Sequence, residues 1–239
     1  MEKAIDFLST QLRASKDFLP HVQQLIPLTR FFSQVDAPSG EQTKWLKQWF
    51  WKTTFSRRYS AQTDEKMDSD IGFFEQLLKG NPEGLGKYAY SVTPDQLIKQ
   101  KFTRSSPLVR GFLLLMAQSQ PIDMISGGKV DLGKALSEYN SKEYHHVFPR
   151  AYLKKREFSQ DRINSLCNFC FLTADSNKRI SSKSPSEYFP NLIPQDSFVA
   201  VLESNLLPLK KEVYDKNDYD NFLKLRSQRI MESLDKVLA

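Results

Sequence analysis

The chain has 239 residues, of which 40% are hydrophobic and 12% aromatic, and it carries a formal net charge of +6. That apolar content excludes wholesale disorder, and the length allows one large domain or two modest ones. The longest apolar run, near Phe112 to Ala117, is far below the roughly 18 residues of a spanning helix. The start MEKAIDFLST lacks a signal-peptide pattern and two cysteines build no disulfide framework, so the expectation is a cytoplasmic protein with no membrane partner.

Apolar residues at three-to-four spacing predict helices over 2–14 and around Val22 to Phe32. Ser39 and Gln42 stand as a capping box before a helix with Trp45, Leu46, Trp49 and Phe50 on one stripe. Thr63 or Asp64 starts the next helix, with Ile71, Phe74, Leu77 and Leu78 inward and Gly80 as its stop. Thr93 and Pro94 suit a cap followed by the first helical position, and Pro107 opens an apolar helix through Met116. Gly127 and Gly128 break the pattern. Short strands are predicted at Tyr144 to Phe148 and at Leu166 to Leu172, separated by a basic loop with room for one helical turn. Polar residues 174–184 follow, closed by Pro185, and helical spacing returns over 214–238. The expected fold is mainly α with a small strand–strand–helix module, α+β overall. Its expected parts are a helical domain over 1–125, the module over 126–190 and a helical tail over 191–239 that packs on the rest.

The charge is distributed unevenly. Residues 1–141 hold 18 basic and 15 acidic side chains, residues 142–183 hold 9 and 4, and residues 184–239 hold 7 and 9. Most of the excess therefore falls in one short stretch, which also contains two of the three histidines. It runs from EYHHVFP, Glu143 to Pro149, through INSLCNFCFLTADSNKRIS, Ile163 to Ser181. On a strand, successive side chains point to opposite faces, so His145 and His146 have different jobs. One can face a bound metal while the other faces a water beside a phosphate. Asn168, on the next strand, can hydrogen-bond across the hairpin, and Asn177, near the start of a short helix, can offer an oxygen to the same metal. Imidazole nitrogen and amide oxygen suit a divalent ion that keeps several waters, and a neutral histidine is a natural base at pH 7. Lys154, Lys155, Arg156, Arg162, Lys178 and Arg179 surround these residues with charge for a polyanion.

These residues resemble a known family. His-His-Val-Phe-Pro, then Asn168 in a strand, Asn-Lys-Arg-Ile at 177–180 and Pro-x-x-Tyr at 185–188 resemble the HNH (ββα-metal) nucleases. More narrowly, the chain is similar to the C-terminal nuclease domain of GmrSD-like modification-dependent restriction proteins. Trp49-Phe50-Trp51 and Ser56-Arg57-Arg58-Tyr59-Ser60 resemble the helical segment of those proteins. The resemblance implies that His146 is the general base, that Asn168 supports the loop and orients the base, and that His145 and Asn177 hold the metal. It implies one divalent ion, Mg²⁺ foremost with Mn²⁺ or another transition metal as alternatives, because His stands where many relatives have Asp. It further implies double-stranded DNA as substrate, modified phage DNA included, and an anti-phage restriction role. GmrSD-like proteins usually carry an N-terminal nucleotide-hydrolysing sensor domain with an Asp-Gly-Gln-Gln-Arg motif, which this chain lacks, so that partner is expected on another polypeptide or segment.

Other readings stand beside these. The module can be a DNA-binding or regulatory domain whose nuclease activity is silent without its partner domain. The whole chain can be a structural helical interaction protein. Cys167 and Cys170 lack the two further ligands a zinc site wants, and read as two small core residues or as one core residue and one facing the helix. The Trp45, Trp49 and Trp51 cluster fits a core stripe or a base-stacking surface. Arg57 and Arg58 fit phosphate contact or a solvated face, and His21, after Pro20, fits a turn or helix start.

Overall fold

The computed structural model describes residues 1–56, 58–60, 63–137 and 144–239. Arg57 and Glu143, both named above, lie outside the described residues. The described chain is mainly helical, with one two-stranded sheet. None of its helices is long and apolar enough to cross a membrane.

Local signals set many helix ends. In the Gly40–Phe55 helix the Ser39 hydroxyl accepts from Gln42 N at 3.1 Å and Gln42 Oε1 accepts from Ser39 N at 3.0 Å. Thr93 and Gln96 make the same reciprocal pair at the start of Pro94–Lys99. The Thr63–Leu78 helix is followed by Gly80 at φ 79°, a left-handed turn that favours glycine. The C-terminal helical spacing is split in two, into Glu212–Asp215 and Tyr219–Leu238. Asn217 turns the chain between them at φ 52°, and Asp218 caps the second helix by accepting from Asn221 N at 3.1 Å. The helix Pro185–Leu192 is additional to the sequence reading, and Phe198–Ser204 falls within the helical tail expected over 191–239.

The chain divides into two compact units, one of Met1–Val92, Arg104–Leu114 and Leu234–Ala239, the other of Thr93–Thr103 and Leu115–Ser233. The sequence reading expects cuts at 125 and 190 instead. Each unit draws on stretches far apart in the chain.

The first unit is built on aromatic packing. Trp49 meets Phe74 edge-on at 4.7 Å, and Phe31 meets Phe74 at 6.0 Å. Trp49 and Trp51 are fully buried, so these two belong to the core and offer no ring to a base; Trp45 is half-buried. Arg58 does not present a free cation. It is bound through Nε and Nη2 to Asp70, a carboxylate with no exposed surface, which also accepts from the hydroxyls of Tyr59 and Tyr88. Such a buried carboxylate is tolerable only with its acceptor sites filled. His21 precedes the short helical turn Val22–Gln24 and is buried, its ring edge-on to Tyr59 at 5.3 Å.

The second unit gathers around Phe148, which packs on Tyr219 at 5.0 Å and on Phe222 at 4.8 Å. Phe189 stacks on Tyr214 at 3.8 Å. Its sheet consists of β1, Tyr144–His146, and β2, Phe169–Phe171, paired antiparallel with His145 opposite Cys170 and His146 opposite Phe169. Both strands are shorter than expected. Pro149 ends the first, and the helix Arg150–Lys155 follows directly. Leu166–Asn168 form a 3₁₀ turn that enters the second. Cys167 and Cys170 are free, buried thiols, each pushed up to about 12 by burial, as suits small core residues rather than reactive ones.

Candidate functional site

β1, β2 and the helix Ala174–Ile180 follow one another in the chain, and the described site residues lie on them or on the short helices and turns between them. His145 and His146 are half-exposed neighbours on β1, so their side chains leave opposite faces of the hairpin.

His146 Nε2 lies 3.1 Å from Asn164 Oδ1. A carboxamide oxygen can only accept, so Nε2 carries the proton and Nδ1 keeps its lone pair. One face of the imidazole meets the Phe169 ring at 4.3 Å. Burial lowers the proton affinity of His146; the Asn164 hydrogen bond opposes this, and the charges of Arg150 and His145 add to it. The ring is therefore held in one tautomer and kept neutral near pH 7. Asn164 follows the short helix Gln160–Ile163, capped by Ser159, and Arg150 begins the helix after Pro149. Neither residue was singled out from the sequence. The readable signals were an Asn at a helix exit and an Arg directly after the His-His-Val-Phe-Pro run.

Asn168 lies in the 3₁₀ turn before β2 rather than in the strand, and it is completely buried. Its Oδ1 accepts from Phe148 N at 2.8 Å, and its Nδ2 donates to Phe148 O at 3.1 Å and to Ile163 O at 3.0 Å. Its backbone oxygen accepts from Val147 N at 2.8 Å. The side chain thus fastens the loop just after His146 to the end of the helix that leads into Asn164. Its carboxamide is turned to backbone groups. Arg226, buried on the Tyr219–Leu238 helix, supports the same turn by donating to Cys167 O at 2.9 Å and to Asn205 O at 3.2 Å.

Asn177 sits half-exposed in the Ala174–Ile180 helix. Thr173 caps that helix and accepts from Ser176 N at 3.3 Å. Asp123, in a loop far earlier in the chain, secures its first turn, accepting from Thr173 N at 2.9 Å and from Ser176 Oγ at 2.6 Å, and also from Ile125 N and Ser126 N. These hydrogen bonds outweigh burial and hold the Asp123 carboxyl below its ordinary value.

The six basic residues divide. Lys154, Lys155 and Arg156 are exposed at the end of the Arg150–Lys155 helix, Arg156 lying over the Tyr152 ring at 4.8 Å. Arg179 is exposed on the Asn177 helix. Lys178 pairs with Asp175 at 3.3 Å, and Arg162 pairs with Asp220. Both pairs are exposed and therefore weak, so both cations remain exchangeable toward an anionic ligand.

No family model matches the sequence. Over 202 residues, 83% of the chain, it is 26% identical to an uncharacterized protein of Methanocaldococcus jannaschii, and the match spans 33% of that protein. The chain therefore covers about a third of the relative's length. No solved structure matches.

Proposed function

We propose that this chain is an HNH-type DNA endonuclease, the nuclease half of a modification-dependent restriction system, with His146 as general base. The observation that carries the reading is the His146–Asn164 hydrogen bond, which leaves a neutral imidazole nitrogen with its lone pair on a strand flanked by cations. Nδ1 of His146 takes a proton from water, and the oxygen so formed attacks the phosphorus of a DNA phosphodiester. Asn164 holds the tautomer and steadies the imidazolium that results. Asn168 keeps the loop after the base in place. Arg150, Lys154, Lys155, Arg156 and Arg179 offset the phosphate charge along the strand, joined by Arg162 and Lys178 when their surface pairs open.

His145 and Asn177 are the proposed metal ligands. Both are partly buried, and their side chains carry an imidazole nitrogen and a carboxamide oxygen. Such a set fits a divalent ion that keeps most of its waters and its full charge. Bound there, Mg²⁺, Mn²⁺ or a similar ion supplies the positive charge that polarises the scissile phosphate and stabilises the leaving 3′ oxygen.

The test is cleavage of plasmid DNA with Mg²⁺ or Mn²⁺. His146→Ala is expected to fold normally and to cut at least about 100-fold more slowly than wild type, the usual scale for a lost general base. EDTA is expected to stop the wild-type reaction. Equal rates for His146→Ala and wild type would remove His146 from the mechanism.

A further inference from the structure

The segment around Phe102, some 60 residues before Asn164 in the chain, belongs to the second unit and lies against the site. Phe102 N donates to Asn164 O at 2.8 Å and Leu166 N donates to Gln100 O at 2.7 Å, with Lys101 and Ser165 forming an antiparallel bridge between them. Asn164 is the residue that holds His146, so one residue links the backbone of Phe102 to the proposed base. The rings repeat this link. Phe102 stacks on Phe169 with centroids 3.9 Å apart and planes at 14°, and Phe169 touches the His146 ring at 4.3 Å. The Phe102 ring is also steadied by Tyr144, tilted against it at 5.4 Å. Phe169 is 8% exposed, whereas Phe102 keeps part of its surface in solvent.

A ring fixed by a stacked partner and keeping part of its surface in solvent suits a platform for a further aromatic ring. Beside a general base that activates water for phosphodiester hydrolysis, the aromatic group brought there is a nucleobase. Every base has a π face, so such stacking tolerates all four bases. We infer that Phe102 stacks on a nucleobase of the nucleotide next to the phosphate attacked at His146. This rests on the nuclease reading for what binds at His146, though not on catalysis itself. A base held in this way has left its own stack, so the nucleotide beside the cut is locally unstacked, and a single-stranded or frayed stretch binds more tightly than an intact duplex of the same sequence.

The experiment is equilibrium binding of a 12-nucleotide single-stranded oligonucleotide to the full chain in EDTA, where no cutting occurs. A series of oligonucleotides places one abasic site at each position in turn. With wild-type protein, one abasic position is expected to weaken binding about fivefold or more, the lower end for one stacked base. Phe102→Ala is expected to weaken the intact oligonucleotide by a similar factor and to be indifferent to that abasic site. Phe102→Tyr should restore both the affinity and the abasic effect, and Phe102→Leu, which keeps apolar bulk without a π face, should restore neither. The Tyr and Leu variants carry the comparison by themselves if Phe102→Ala does not fold. Equal binding by the Leu and Tyr variants, or an abasic loss that persists in full without the ring, overturns the inference. If Phe102-dependent stacking is found but no cleavage occurs with Mg²⁺ or Mn²⁺, only the nuclease reading falls. If wild type binds no oligonucleotide at low salt, both fall.

Discussion

His146 and His21 are both histidines whose burial lowers their proton affinity, and their surroundings give them opposite roles. His146 is partly buried with Asn164 on Nε2, and Nδ1 is the nitrogen that the proposed mechanism uses. His21 packs against Tyr59, and its Nε2 is buried with no hydrogen-bond partner among the described residues. An unpaired buried polar atom costs about 1–3 kcal/mol. As pH falls, the unfolded chain takes up the His21 proton before the folded chain does. The protein therefore loses stability as pH drops through the ordinary histidine value of 6.5 and keeps it above that value. His21→Phe preserves the ring contact and removes the nitrogen. We expect it to raise the urea midpoint at pH 7.5, by about 1 kcal/mol in stability, and to reduce the loss of stability between pH 7.5 and pH 5.5. A loss as steep as that of wild type would place the acid sensitivity elsewhere.

At the scale of elements, the site depends on a hairpin with only three residues in each strand. A ladder so short is marginal alone, and Asn168 supplies what it lacks by tying the loop after β1 to the turn before β2. Asn168→Ala would leave the Phe148 N–H, the Phe148 carbonyl and the Ile163 carbonyl without their side-chain partner. At about 1–3 kcal/mol for each buried group left unpaired, we expect a loss of at least about 3 kcal/mol in urea unfolding. Asn168→Asp should not rescue it, because a carboxylate accepts from Phe148 N but faces two carbonyl oxygens with no proton to offer. The capped helices were legible because their signals are local: Ser39 with Gln42, Thr93 before Pro94, and Gly80 as a stop. The helix Pro185–Leu192 carried such a signal too, since Ser184 N and Oγ both donate to Glu187. Proline at 185 nonetheless read as an end to the polar stretch rather than as the first residue of a helix.

At the scale of the whole molecule, the net charge of +6 matters through its placement. The stretch 142–183 holds most of the excess, and five of its cations lie on two helices, Arg150, Lys154 and Lys155 on Arg150–Lys155 and Lys178 and Arg179 on Ala174–Ile180. Two of its cations are matched by surface carboxylates, Arg162 by Asp220 and Lys178 by Asp175. The run Lys154, Lys155 and Arg156 is exposed. Reversing these three to glutamate is expected to weaken duplex binding and to flatten the dependence of log K on log salt by about 0.9 for each phosphate that is no longer neutralised. The same change at Lys210 and Lys211, also exposed in this unit, should leave the slope as it was. An unaltered slope in the first variant would show that DNA does not lie along the Arg150–Lys155 helix.

The sequence by itself determined the helical class, the starts of the capped helices at Gly40, Thr63 and Pro94, the two short strands after Gly128 and the concentration of basic charge around His145 and His146. Each of these follows from periodicity, capping or composition within a few residues. Tertiary structure alone decided which atoms meet. It brought Asn164 to His146, turned the carboxamide of Asn168 toward backbone groups, buried Trp49 and Trp51, matched Arg58 with Asp70, and carried Phe102 to the site from a stretch assigned by sequence to the helical domain. Pairings of that kind join residues far apart in the chain or on irregular turns. Their partners are chosen by which buried polar groups must be satisfied and which rings must be covered, and no local pattern records that choice.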